Sequence, residues 1–371
     1  MAMNIEKIEE GVQTLENPPN KLLSASHPED LNKSLMAKWG LLLLSCTCSV
    51  VGTTGGPLVL RLYFLHGGHS KWLSSWLQTV GFPILLIPLT ILYFRRDRML
   101  PDEFFASQKL LHYAAIIGLL QGLDNYMYCY GLSFLPVSTS SLLISTQLIS
   151  TAFVASILVK QKFTPYSINA VVLMTMGSIL LGLRKSGDRP HGVTNSQYLL
   201  GFIISIGAAA LGGFILVSTQ VAYAKAKKAM TYSIVLQFQF CMAFFATLFC
   251  TVGMLINKDF SAIKREANGY ELGVKKYYLV LGSSVVIWQV MFLGRLGIIF
   301  CTSSLFAGIM SATILPITEI AAVITFHEKF TGEKGMALAL GLWGFTSYFY
   351  GSYRKTKKQT QQTPHETNTS K

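Results

Sequence analysis

The sequence predicts an all-α integral membrane protein, with ten transmembrane helices arranged as two inverted five-helix repeats. Ten stretches of about 20 apolar residues are almost free of charge, and a helix rising ~1.5 Å per residue needs roughly 20 such residues to cross a ~30 Å hydrocarbon core. The composition agrees: 51% of residues are hydrophobic and 13% charged, with mean hydropathy +0.43, whereas soluble domains carry about 25% charged residues. The two halves share signposts in the same order. Five spans per half is an odd number, so a second copy must enter the bilayer from the opposite side.

The first repeat, residues 39–183, holds spans at 39–65, 72–94, 110–132, 137–159 and 165–183. After a connecting loop at 184–197, the second repeat, residues 198–353, holds spans at 198–223, 231–256, 277–299, 302–326 and 333–353. The first span carries Gly55-Gly56 and the sixth carries Gly212-Gly213. Such pairs let helices approach closely or bend, and Pro57 strengthens the bend in the first. The fourth span begins Thr139-Ser140-Ser141-Leu142 and leads to Lys162-Phe163-Thr164, while the ninth begins Thr302-Ser303-Ser304-Leu305 and leads to Lys329-Phe330-Thr331. Inverted repeats of this kind place a substrate site near the midplane between the halves and permit alternating access.

The net charge of +13 does not point to nucleic acid, because the basic residues sit in short loops and form no continuous face with interleaved aromatics. They orient the chain instead. With both termini in the cytosol, 19 of the 31 Lys and Arg residues fall on the cytosolic side, as the positive-inside rule favours. The tails, residues 1–38 and 354–371, are polar and expected to be disordered, and the first shows no signal peptide. The plasma membrane is the default location. All six cysteines fall in or at the edge of spans with no CxxC pair or Cys/His cluster, so neither metal nor disulfide framework is implied. No protein partner is evident.

Glu319 is the most telling single residue. It lies about two-thirds of the way along the ninth span, after Pro316, amid Ile, Ala and Val. An acid at such depth costs on the order of 3 kcal/mol on insertion scales, so it is expected to serve function, here as a proton carrier. Asp124 is the second acid. Gln121, Asp124, Asn125 and Tyr128 stand at i, i+3, i+4 and i+7, which puts all four on one face of the third span. That stripe should face an aqueous cavity or another helix. With both termini inside, Asp124 and Glu319 share the outer half, where an incoming proton would meet them. Amides sit deeper at Gln147, Gln237 and Gln289, and an amide can match the donors and acceptors of a heterocycle in bidentate fashion. Trp288, Tyr126 or Tyr128 could stack on its flat face. Arg61 and Arg295 are read as lying near span ends, where snorkelling suffices. His327-Glu328 lacks the second ligand of a zinc motif, and Ser140 and Ser141 have no nucleophile partners, so no catalytic residue is assigned.

The runs Gly55-Gly56-Pro57 through Arg61-Leu62-Tyr63-Phe64 to His66-Gly67-Gly68, Ser74-Ser75-Trp76-Leu77, and Leu135-Pro136-Val137-Ser138-Thr139-Ser140-Ser141-Leu142 resemble the plant purine permease family. So do Leu158-Val159-Lys160-Gln161-Lys162-Phe163-Thr164-Pro165, Leu315-Pro316-Ile317-Thr318-Glu319, Phe326-His327-Glu328-Lys329-Phe330, and Gly341-Leu342-Trp343-Gly344-Phe345 with Ser347-Tyr348-Phe349-Tyr350-Gly351. The likeness covers residues 38–353. It implies the drug/metabolite transporter type of fold and proton-coupled import of adenine, cytokinins or related bases.

The expected function is therefore secondary active transport of a purine-like base by proton symport. Glu319 and Asp124 would couple the proton, and Gln121, Asn125, Tyr126, Tyr128, Gln147, Trp288 and Gln289 would bind the base. No cofactor besides the proton is expected. An alkaloid or vitamin carrier on the same scaffold is the alternative. A phosphate-bearing substrate is disfavoured because no cation is read at mid-span. A membrane enzyme or receptor is disfavoured by the missing nucleophile–base pair and the short loops.

Overall fold

The structure, a computed structural model, describes residues 28–94, 106–135, 146–160, 163–182, 194–226, 231–326, 332, 335–336, 339–351 and 354. Helix follows helix: α1 (Pro28–Leu65), α2 (Lys71–Leu77), a 3-10 turn (Phe82–Leu85), α3 (Leu86–Phe94), α4 (Gln108–Phe134), α5 (Gln147–Leu158) and α6 (Pro165–Gly182). Then come α7 (Asn195–Ala224), α8 (Tyr232–Asn257), α9 (Asp259–Gly269), α10 (Val274–Cys301) and α11 (Ser304–Phe326), with helix again over 339–351. No strand occurs among the described residues. Five helical stretches are long and apolar enough to cross a membrane: Lys38–Leu65, Lys71–Phe94, Asn195–Ala224, Tyr232–Asn257 and Val274–Cys301. The chain is an α-helical multi-pass membrane protein.

Three departures from the sequence reading matter. The first helix begins at Pro28, inside the segment expected as a disordered tail; proline suits the first helical position, and Glu29 and Asp30 favour the positive end of the helix. The second span is two helices, because the chain unwinds between Leu77 and Phe82, beside Gly81 and Pro83. The Thr79 carbonyl there accepts from the Phe82 amide within the turn at 3.1 Å and also from Gln289 Nε2 of α10 at 2.9 Å, which ties the break to a neighbouring helix. The loop after α8 is not irregular either, since it folds into α9. The signpost residues 139–141, 162 and 329–331, residues 184–193 of the connecting loop, and residues 1–27 and 355–371 of the tails lie outside the described residues.

Small residues set the helix spacing, as they must where lipid is as apolar as leucine. On α4, Gly118 and Gly122 lie one turn apart against α8, and a Cβ at Gly122 would stand 2.9 Å from the Ala246 carbonyl oxygen. On α1, a Cβ at Gly56 would stand 3.1 Å from the Trp288 indole of α10. Around these crossings Leu110, Ile117, Tyr223, Phe238, Met242 and Ile299 form the largest buried cluster, shared by α4, α7, α8 and α10.

At one end of the bundle α9 clamps the α1–α2 connection. Buried Glu266 accepts hydrogen bonds from Tyr63 Oη (2.6 Å), Ser70 Oγ (2.6 Å), the His69 amide (3.2 Å) and Tyr277 Oη (3.2 Å). Asp259, at the start of α9, accepts from Asn257 Nδ2 at 2.7 Å and lies beside the amides of Trp72 and Leu73 in the first turn of α2. Burial raises its carboxyl above the ordinary value of 3.8, and Asn257 and these amides oppose the rise.

Candidate functional site

A cavity opens where α1, the end of α2, α4, α5, α7 and α10 meet, with about 80 Å³ open to the centres of water-sized spheres, room for several waters. Helix α4 contributes Gln121, Asp124, Asn125 and Tyr128, so the predicted stripe does face a cavity. Helix α10 contributes Trp288, Met291, Phe292 and Arg295, α5 contributes Gln147, and Thr53, Pro57, Gln78, Ala208 and Ala209 complete the wall. A smaller lobe shares Gln121, Asp124, Gln147, Phe292 and Arg295 and continues past Gly212, Thr219 and Met242. Both glycine pairs serve this space. Gly56 leaves room for the Trp288 ring, and a Cβ at Gly212 would come within 3.0 Å of Gln147 Nε2 and 3.7 Å of Asp124 Oδ1.

The α4 stripe is internally bonded. Gln121 Nε2 donates to Asn125 Oδ1 at 2.8 Å and to Asp124 Oδ2 at 3.2 Å. That pairing fixes the amide orientations and leaves Asn125 Nδ2 a buried donor with no partner among the described residues. Trp288 Nε1 and Arg295 Nε are likewise buried and unpartnered among the described residues, as is the acceptor Gln78 Oε1. Gln78 Nε2 donates to Cys129 Sγ at 3.0 Å, which turns its oxygen outwards from that contact. A buried polar group without a partner costs about 1–3 kcal/mol. Several such groups around one cavity are what a polar ligand would satisfy. Met291, Phe292 and the Trp288 ring supply an apolar slab between them, and Tyr128 meets Trp288 edge to face at 6.1 Å.

Six of the nine predicted site residues are thus brought together: Gln121, Asp124, Asn125, Tyr128, Gln147 and Trp288. Two are not. Tyr126 stacks on Trp72 at 3.8 Å, away from the cavity, and Gln289 is turned to the Thr79 carbonyl. Each follows a cavity residue by one position, and successive residues of a helix point ~100° apart. Glu319 lies on α11, and its side chain falls outside the described residues. Its neighbour Thr318 is buried and contacts Thr54 of α1, next to cavity residue Thr53. Gln237 accepts from the Ala106 amide at 3.0 Å and plays a structural part.

The reading of Arg295 as a span-end anchor is corrected. Helix α10 continues to Cys301, and Arg295 lies seven residues, two turns, after Trp288 on the cavity face. The sequence held the signal, since position i+7 from a supposed ligand shares its face. A cation therefore faces the cavity, where the sequence reading places none. Asp124 faces the same space and so still disfavours a phosphate by like charge. Gln78 and Thr53 were also missed.

Residues 40–358 match the family described as purine nucleobase transmembrane transport (PUNUT). Among curated relatives, the chain is 46% identical over 329 residues to Purine permease 3 of Arabidopsis thaliana, covering 87% of this chain and 94% of that one. It is 46% identical over 341 residues to Purine permease 2 of the same plant, covering 87% and 95%. Purine permease 21 of Arabidopsis thaliana is 35% identical over 337 residues, covering 89% and 85%. A solved chain described only as "Crystal structure of protein" shares the fold at TM-score 0.58 and 16% identity, covering 85% of this chain and 98% of that one.

Proposed function

The chain belongs to the purine permease family, whose members are transporters of purine nucleobases and not enzymes, and from that premise we propose that it imports a purine-like base by proton symport with alternating access. The observation that carries this reading is the cavity itself: a carboxyl, three unpartnered donors and an apolar slab enclosed at the meeting of six helices. The base lies against Phe292, Met291 and the Trp288 ring, and its edge atoms take up the hydrogen bonds that Asn125, Gln78 and Arg295 leave unmade. Asp124 carries a proton inward with the base, and Glu319 serves the same coupling from α11. Adenine and N6-substituted adenines such as cytokinins suit this wall. A permanently cationic alkaloid would meet Arg295.

Ten spans in two inverted repeats give the scaffold for rocking. The helix pairing supports this arrangement. The first span packs on the eighth and the sixth on the third; the first on the ninth and the sixth on the fourth; the second on the third and the seventh on the eighth. Exchanging the two halves maps each pair onto its partner. Both termini face the cytosol, an orientation supported by the excess of Lys and Arg on that side, and the plasma membrane is the proposed location.

The test is uptake of labelled adenine in cells lacking their own purine carriers, at about pH 5.5 and about pH 7.5, with and without a protonophore. Uptake that rises in acid and collapses with the protonophore is expected. Asp124→Asn and Glu319→Gln should lose accumulation against a gradient, and Asp124→Asn should retain adenine exchange across the membrane. Full accumulation by Asp124→Asn at normal surface abundance would remove Asp124 from the coupling.

A further inference from the structure

Arg295 is the least expected side chain in the cavity, and which edge atom of the base it meets sets what the cavity selects. It lines both lobes, and among the described residues its Nε is buried without a partner and its guanidinium makes no hydrogen bond. A guanidinium presents donors only, in a planar fork. Asp124, which keeps an acceptor oxygen even when it carries a proton, borders the same two lobes from the opposing helix and spends one contact on Gln121. Donor and acceptor thus face one space from α10 and α4. The edge of a 6-aminopurine that carries N7 and the exocyclic N6 amine offers the complementary pair, an acceptor beside a donor.

Resting on the proposal that this cavity carries a purine, we infer that Arg295 is a specificity-determining residue that donates to N7 of the base while Asp124 accepts from the N6 amine. The apolar slab of Met291 and Phe292 lies one turn back along α10, between Arg295 and Trp288, and holds the ring plane beneath that edge. Purines that keep N7 but carry an oxygen at C6 have no amine to donate to the Asp124 carboxyl oxygen and are disfavoured. Analogues without the ring nitrogen lose the Arg295 contact.

The experiment is a substrate-atom and side-chain cycle: inhibition of labelled adenine uptake by adenine, 7-deazaadenine and 3-deazaadenine, in the wild type, Arg295→Met and Arg295→Lys. In the wild type, 7-deazaadenine is expected to inhibit about tenfold more weakly than adenine, a loss of one good hydrogen bond to a charged donor. In Arg295→Met the two should fall within about twofold, because the atom and the side chain that meet have both gone. Arg295→Lys, which keeps the charge but not the fork, should lie between. A loss of affinity with 3-deazaadenine should be equal in all three proteins. A wild type that does not discriminate against 7-deazaadenine, or an Arg295→Met protein that still does so tenfold, overturns the assignment. So does a wild-type penalty for 3-deazaadenine that vanishes in Arg295→Met. If Arg295→Met does not transport, the same ratios are read by competition binding to purified protein, and if it does not fold, the ratio in Arg295→Lys decides: an undiminished tenfold penalty refutes the contact. Absence of any adenine uptake or binding by the wild type would instead refute the functional reading on which this one rests.

Discussion

Glu266 holds the α1–α2 connection onto α9, and its removal gives a direct measure of that clamp. Four donors converge on one buried carboxylate, two of them at 2.6 Å from the hydroxyls of Tyr63 and Ser70. Hydrogen bonds to a charged group contribute about 1.5–3 kcal/mol each, but the four are coupled and do not add. Tyr63 Oη also accepts from the Ser70 amide at 3.2 Å, so part of the network survives truncation. Glu266→Ala is therefore expected to cost about 3–5 kcal/mol, the range for breaking a buried charged interaction on one side. Glu266→Gln keeps one acceptor oxygen, and the hydroxyls can rotate to accept from its amide, so it should cost about 1–2 kcal/mol. The assay is limited trypsin cleavage of purified protein at Lys264 and Arg265 on α9, which reports the population of the opened clamp when closing is fast. A loss of about 3–5 kcal/mol raises that population, and the cleavage rate, by roughly 10²–10³·⁵. Cleavage of Glu266→Ala within threefold of the wild type, or faster cleavage of the Gln variant than of the Ala variant, would refute the reasoning.

Further outcomes follow from the same geometry. Gly118→Leu sets a side chain against the Met242 carbonyl where α4 crosses α8, and should cost about 1–3 kcal/mol as an overpacked contact, read as lower thermal stability in detergent, while a substitution at exposed Leu119 should be near neutral. Gln220 Oε1 accepts from both the Ser304 amide (2.9 Å) and Ser304 Oγ (2.5 Å), capping α11 from α7, so Gln220→Leu should cost about 1–3 kcal/mol by stranding a buried amide, and Gln220→Glu should cost less because it keeps the acceptor and adds charge at a helix N-terminus. Asp259 has a folded-state value raised above its ordinary 3.8, chiefly by burial, with Glu266 adding repulsion. The folded form therefore binds more protons in that window, and the clamp loses stability as pH climbs from about 3.8 through the raised value. Asp259→Asn should flatten that fall, measured as thermal stability in detergent against pH; an unchanged slope would show that Asp259 does not titrate with the clamp.

The lipid-facing part of the fold was plain in the sequence because apolar length is a coarse signal that tertiary contacts scarcely modify. The α4 stripe was legible for a different reason: four polar residues at helical spacing have no other place than a cavity or an interface. Tyr126 and Gln289 do not line the cavity because neighbours in sequence are not neighbours in space, and the ~100° step of the helix separates them from Asn125 and Trp288. The same rule would have found Arg295 from Trp288. The break after Leu77 is written locally in Gly81 and Pro83, but that it brings Gln78 to the cavity depends on the Gln289–Thr79 bond between segments 210 residues apart. The α9 clamp was illegible, since nothing in a loop of mixed charge announces that Glu266 will meet Tyr63 and Ser70 across 203 and 196 residues.

The most direct test of the central claim is an experimental structure of the protein with adenine bound. Planar density for the base is expected against Phe292 and Met291, within hydrogen-bond reach of Asn125 and Asp124. Density for the base elsewhere in the bundle, with the Asp124–Arg295 cavity left empty, would contradict it.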